Sequence, residues 1–155
     1  MHLEHSEFIA VPTEIFWKTW INVNDWHAWD LTINAAQSDT GEFDTLCGTF
    51  ILPKGQTQKF HFTKIEEEKM YAFEINLPFT NMHIIRRLKP VDGGVIVTHE
   101  FDTDGVMLLP NAFYRSVKKY FKQSLIKLKY FAEESYWRTN ISKIPCVDRS
   151  PAMAS

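Results

Sequence analysis

The chain has 155 residues, a formal net charge of −2 and an unusual wealth of large aromatics, with 12 Phe and 5 Trp. That length fits one domain with a real core, and the near-neutral balance gives no bulk attraction to nucleic acid. No apolar run approaches the ~20 residues of a membrane span, and the N-terminal stretch MHLEHSEF lacks the apolar segment of a signal peptide.

Two cysteines, Cys47 and Cys146, lie far apart and outside any CxxC pattern. They read as reduced thiols of a cytoplasmic protein rather than as a disulfide. Cys47, beside Gly48, reads as a small buried hydrophobe before it reads as a nucleophile.

In chain order, His2 to Val11 suggests a first strand. Pro12 stops it, and Thr13 is placed to cap a helix from Glu14 to Asn22. That helix carries Ile15, Phe16, Trp17, Trp20 and Ile21, too apolar for a surface position. Asn24 or Asp25 then caps a second short helix ending at Asp30. Trp17, Trp20, Trp26 and Trp29 crowd this corner; at least two belong to a core, and one or two suit the rim of a cavity. Strands follow over Leu31–Gln37, Asp44–Leu52, Gln58–Ile65, Tyr71–Leu77, Met82–Leu88 and Val95–Phe101. Ser38 to Gly41, Pro53 to Gly55, Glu66 to Lys69, Pro78 to Asn81 and Asp92-Gly93-Gly94 mark the turns. Gly48 is a candidate bulge or bend.

The last element is the longest. From Pro110 to Glu134, Phe113, Val117, Tyr120, Leu125, Leu128 and Phe131 recur at helical spacing, and most of the Lys and Arg residues fall off that stripe. Such a helix is ~37 Å long, enough to cross a sheet of six or seven strands. The order of elements predicts an α+β domain over residues 1–138, an antiparallel sheet curved around the long helix, followed by a tail from 139 to 155.

Four stretches carry a resemblance to a known superfamily. They are FIAVPTEIFWKTWINVNDWHAWD, the Gly48-Thr49 pair early in a strand, LKPVDGGVIVTHEF, and the closing SLIKLKYFAEE. In this order, over most of residues 6–134, the chain resembles the START-like superfamily, also called SRPBCC, and within it the polyketide cyclase/dehydrase-like group. The resemblance implies a helix-grip fold, with a seven-stranded antiparallel sheet curled over the C-terminal helix and a hydrophobic cavity between them. It also implies ligands such as lipids, sterols, quinones or polyketides. It does not fix a reaction, since the superfamily shares a fold more than an activity.

From residue types alone, the large apolar side chains fill a core to native density. With the resemblance they become a pocket lining instead: Phe62, Phe73, Ile75, Ile85, Val97 and Phe101 from the strands, and Phe113, Val117 and Phe121 from the helix. Leu125, Leu128 and Phe131 anchor the far end of the helix. If Tyr71, Phe73 and Ile75 face inward, His99, His83 and Arg87 are the candidates to line the cavity as acid–base and anchoring groups. The alternative is that they are structural or solvent-facing, and a one-residue slip would bring Arg86 and Glu100 inward in their place.

Neither HxxxH nor HExxH occurs, no GxSxG surrounds a serine, and Gly93-Gly94 is a turn rather than a phosphate loop. No metal and no cofactor is expected. The expected partner is a small hydrophobic ligand. The Lys-rich helix face reads as solvated; its alternative is a passing contact with an anionic membrane, with stable membrane binding not expected. Three functions stand side by side: a carrier of a hydrophobic ligand, a cyclase or dehydratase working through those His and Arg side chains, and a protein-binding module whose pocket is vestigial.

Overall fold

The computed structural model describes residues 1–38, 47–51, 55, 57–77, 80–105 and 111–143, with helix side chains from 118 to 141. Seven antiparallel strands form one sheet: β1 (His2–Ile9), β2 (Ala35–Ser38), β3 (Cys47–Ile51), β4 (Thr57–Glu66), β5 (Met70–Asn76), β6 (Thr80–Val91) and β7 (Gly94–Gly105). Their spatial order is β1-β7-β6-β5-β4-β3-β2. Six strands follow one another as a meander, and only β1 departs, pairing with β7 and so bringing the chain's start to its last strand.

Between β1 and β2 lie helix α1 (Thr13–Trp20) and a 3-10 helix (Val23–Ala28); the chain closes with α2 (Asn111–Lys143). Pro12 takes the N-cap position of α1, and the Thr13 side chain does not cap it. The strand expected from Leu31 begins only at Ala35. Asp30 explains the delay: its Oδ1 accepts from the Thr32 amide at 3.0 Å and the Thr32 hydroxyl at 2.6 Å, closing a side-chain turn that competes with extended backbone.

Alternation along the strands separates two faces. Leu3 and Ile9 of β1, Phe60 and Phe62 of β4, Tyr71 and Phe73 of β5, Ile84 and Leu88 of β6, and Val95, Val97 and Phe101 of β7 are buried on the inner face. Gly48 is not a bulge, being paired in register with Phe60 on one side and Ser38 on the other. A Cβ there would collide with the Phe60 ring and stand 2.7 Å from the Gln37 carbonyl, so the missing side chain is what lets Phe60 lie flat across β3. The register shift falls instead in β4, between Phe62 and Lys64. The Asp92-Gly93 turn forms as expected, with Gly93 at φ +81°.

The core divides into two blocks. Against β3, β4 and β5 the aromatic corner is solid: Trp26 meets Phe60, Tyr71 and Phe73 at centroid distances of 5.6, 5.8 and 5.3 Å, and Phe50 stacks on Phe60 at 4.3 Å. All four corner tryptophans are buried, so none rims an entrance. The second block joins α2 to β1 and the corner. Leu125, Leu128 and Ala132 are buried there, and Phe131 packs against them half-buried. Polar clips fix the seating: Ser124 Oγ accepts from the Leu31 amide at 2.9 Å, Glu133 from the Ala10 amide at 2.9 Å, and Lys129 donates to the Phe8 carbonyl at 2.6 Å.

The helix expected to end at Glu134 continues to Lys143, so the domain boundary drawn at 138 falls inside it. Among the described residues no helix is long and apolar enough to cross a membrane. Cys47 is exposed rather than buried.

Candidate functional site

Arg86 sits in the middle of β6 on the inner face and is 5 % exposed. The hairpin register places it opposite His99 on β7 and opposite Tyr71 on β5, and His99 lies opposite His5 on β1. A row of polar side chains, His5–His99–Arg86–Tyr71, therefore crosses four strands on the side of the sheet that holds the core.

Each member is anchored. The Arg86 Nη2 donates to Asp30 Oδ2 at 2.9 Å, and its Nη1 donates to the Tyr71 hydroxyl at 3.1 Å. The guanidinium lies 4.8 Å from the ring centroids of both Trp26 and Trp29 and 5.0 Å from Phe73, an aromatic cage that suits a weakly hydrated planar cation. The Tyr71 hydroxyl donates in turn to the Trp20 carbonyl at 3.1 Å, which also accepts from the Trp26 indole at 3.0 Å. Trp20 ends α1, and its carbonyl is one of those a helix C-terminus leaves without an intrahelical donor. The row thus satisfies the end of the helix that covers it.

The Trp20 indole donates to His99 Nε2 at 3.2 Å, which places the neutral ring's proton on Nδ1. The His99 ring lies nearly parallel to that of Trp20, edge to edge with it across this bond, with ring centroids 5.9 Å apart, and is buried. Burial, reinforced by the Arg86 charge, holds its pKa well below the ordinary histidine value. Burial also pushes the Tyr71 phenol up to about 12. At neutral pH the cluster is one balanced ion pair, a neutral imidazole and a neutral phenol. It can orient a ligand and exchange hydrogen bonds.

Two donors in this cluster have no partner among the described residues, Arg86 Nε and Trp29 Nε1, and both are fully buried.

The candidates named from sequence are split by this geometry. His99 is on the inner face. His83 and Arg87 are on the outer one, where His83 bridges Glu74 and Asp104 at 2.9 Å each and Arg87 pairs with Glu100. The inward position expected of Arg87 belongs to Arg86, because counting outward from the Val91–Gly94 pair sets Arg86 against His99. Glu100 does not come inward with it; it faces Ile85 across the ladder.

Of the proposed lining, Phe62, Phe73, Val97 and Phe101 are buried on the inner face, and Ile75 lies there half-buried. Phe62 and Phe73 are locked into the aromatic block, with centroids 6.0 Å apart. Ile85 shares the outer face with His83 and Arg87. Phe121 packs half-buried against the core. The side chains of Phe113 and Val117 lie outside the described residues.

A shallow concavity of about 340 Å³ opens elsewhere, where Cys47, Lys59, His61 and Asn76 of the outer face meet Gln58 and Phe60. A second polar row runs there, Cys47–His61–Glu74–His83–Asp102–His2, each residue opposite the next across six strands. His2 and Asp102 meet at 3.0 Å, and His61 and Glu74 at 3.4 Å. Among the described residues no three His, Cys, Asp or Glu side chains gather to hold a metal ion.

Sequence reasoning did not single out Asp30 as part of a site, and it took Tyr71 and Trp29 for their apolar bodies, as an inward-facing ring and a core or cavity-rim ring, rather than for their polar tips. Their signal was present only as the acid that ends the Trp-His-Ala-Trp-Asp corner and as the polar tips of aromatics otherwise suited to a core.

No family model and no curated protein matches this sequence. Solved structures do. A protein from Mesorhizobium loti, MLL2253, superposes with a TM-score of 0.68 at 14% identity over 87% of this chain and 98% of its own. An uncharacterised protein from Bacillus thuringiensis gives 0.66 at 18% identity, over 85% of this chain and 98% of its own. Ara h 8.0201, a Bet v 1 family protein, gives 0.61 at 15% identity, over 85% and 97%. At such identities the likeness is one of architecture: the chain has a helix-grip fold, a curved seven-stranded antiparallel sheet with a long C-terminal helix.

Proposed function

We propose that this protein binds a small hydrophobic molecule of the lipid, quinone or polyketide kind between the sheet and α2, oriented by the inner polar row. One observation carries the reading: a charged pair, Arg86–Asp30, is enclosed among aromatics beside His99 and Tyr71 on the inner face. Enclosing two charges costs several kcal/mol per ion by rough account, and well-packed apolar side chains in their place are often as stable or more so. An interior polar locus that stability does not demand favours a role in recognition. The helix-grip architecture favours the same reading, with the superfamily resemblance read from the sequence behind it.

The second reading is a polyketide cyclase- or dehydratase-like enzyme. It has His99 in its favour as an inner-face imidazole. Against it, His99 is held neutral, Arg86 is committed to Asp30, and His83 and Arg87 face outward. We therefore place binding ahead of catalysis, in a cytoplasmic protein that makes no stable contact with membranes or nucleic acid.

Native mass spectrometry with lipid extraction, on protein purified from its own source, tests the proposal. A co-purifying apolar species that is lost in Arg86→Met supports it. A ligand-free protein whose interior is filled throughout, the N-terminal half of α2 included, sinks it.

A further inference from the structure

Arg86 Nε and Trp29 Nε1 belong to one locus, the guanidinium lying 4.8 Å from the Trp29 ring. Both are buried donors, and neither has a protein partner among the described residues. A buried N–H left unpaired is costly, so such groups in folded proteins nearly always meet an acceptor. Neither donor can reverse its role, because indole Nε1 and guanidinium nitrogens only donate. Whatever meets them accepts.

The charge of that acceptor follows from Asp30. Its Oδ2 already takes Arg86 Nη2, and its Oδ1 takes both Thr32 donors. The Arg86 charge is therefore already balanced at this site. A carboxylate or phosphate arriving there would be a second buried anion beside Asp30, with no second cation among the described residues paired to that locus. A neutral acceptor adds no charge and can take the hydrogen bond that either donor offers. His99 agrees with this: its neutral state offers an imidazole dipole and no counter-charge for an anion.

We infer that Trp29 Nε1 and Arg86 Nε form a recognition point for a neutral carbonyl-type oxygen, a ketone, quinone or amide, carried by an otherwise apolar ligand. This inference rests on the binding function proposed above and narrows its ligand class.

The test is a matched set of probes, acetonaphthone, ethylnaphthalene and naphthoate, titrated into the ¹⁵N-labelled full chain. The ketone is expected to bind about tenfold more tightly than the hydrocarbon, the size of one hydrogen bond, and naphthoate more weakly than the ketone. The Trp29 indole proton is expected to move downfield with the ketone and not with the hydrocarbon. That shift is read on the unaltered protein, so it decides the matter even if a variant fails to fold. Trp29→Phe is expected to remove most of the ketone's advantage over ethylnaphthalene.

Equal affinities for ketone and hydrocarbon, with an unmoved indole proton, would overturn the inference while leaving hydrophobic binding intact; the two donors would then be serving a bound water. Naphthoate as the tightest of the three would overturn it through the charge argument. No binding by any probe would remove the proposed function and this inference together.

Discussion

The sheet carries two polar rows on its two faces, and they are built from similar parts. The inner row is His5–His99–Arg86–Tyr71, and the outer one runs from Cys47 through His61, Glu74, His83 and Asp102 to His2. Each contains histidines that meet neighbours across the ladder. Their environments oppose them. His99, enclosed beside a cation, is driven towards its neutral form, while His83, in reach of two carboxylates and partly wet, is driven towards its charged form. Adjacent arginines show the same contrast. Arg86 is locked by Asp30, Tyr71 and an aromatic cage; Arg87, one residue on, holds Glu100 with 46% of its side chain exposed. The face a side chain takes, more than its type, decides whether it can serve as a recognition group.

The two arginines give the sharpest way to break this contrast. Arg86→Ala leaves Asp30 buried without its partner and the cage empty, and should lower unfolding free energy by about 3–5 kcal/mol. Arg87→Ala removes a surface pair and should cost less than about 1 kcal/mol. Urea denaturation of both variants measures the difference, and equal losses would mean that Arg86 is not enclosed. Next in size is Trp20→Phe. It keeps much of the ring but removes the indole donor to His99 Nε2, stranding a buried acceptor at a cost of about 1–3 kcal/mol. It should also free His99 to change tautomer, visible in its ring ¹⁵N shifts; unchanged shifts would show that the Trp20 bond does not set the tautomer.

The fold was readable because its signals are local. Alternation in Tyr71, Phe73 and Ile75, the Asp92-Gly93 turn and the stripe around Leu125 and Leu128 each point to one element, and the order of elements then leaves few ways to pack them. The site was less readable, for a reason visible in β6. The run Ile84-Ile85-Arg86-Arg87 has an apolar residue and an arginine in each phase, so composition alone does not say which phase is inside. The hairpin did contain the answer, since a two-residue turn at Asp92-Gly93 fixes Arg86 opposite His99. Asp30 was hidden for a different reason. Its role depends on a contact with β6 that spans 56 positions of sequence, and no periodicity reports such a contact. The length of α2 is hard to read because its stripe thins after Ala132 to a half-buried Tyr136, while the helix continues with exposed Trp137 and Ile141.

The smallest effects separate the two rows by the sign of their pH dependence. His99 has a folded pKa well below the ordinary value near 6.5. Its contribution is intact above about pH 6.5 and is lost as pH falls, because the unfolded chain takes up a proton that the folded protein refuses; the slope approaches about 1.4 kcal/mol per pH unit. His83 has a raised folded pKa, chiefly through its bond to Asp104, whose carboxyl that bond lowers in turn. Its contribution is fully present below about pH 6.5 and fades as pH rises through the raised value. With 31% of its side chain exposed, the magnitude should stay below about 1 kcal/mol. The stability of wild type minus that of His83→Gln, followed by urea denaturation from about pH 5.5 to 8, should therefore be largest at the acid end and shrink towards the alkaline end. Wild type itself should lose stability at the acid end, where the larger His99 effect prevails over His83. A His83 difference that grows with pH would mean that its pairs with Glu74 and Asp104 do not persist in solution, and the outer row would then be a set of neighbours rather than a set of bonds.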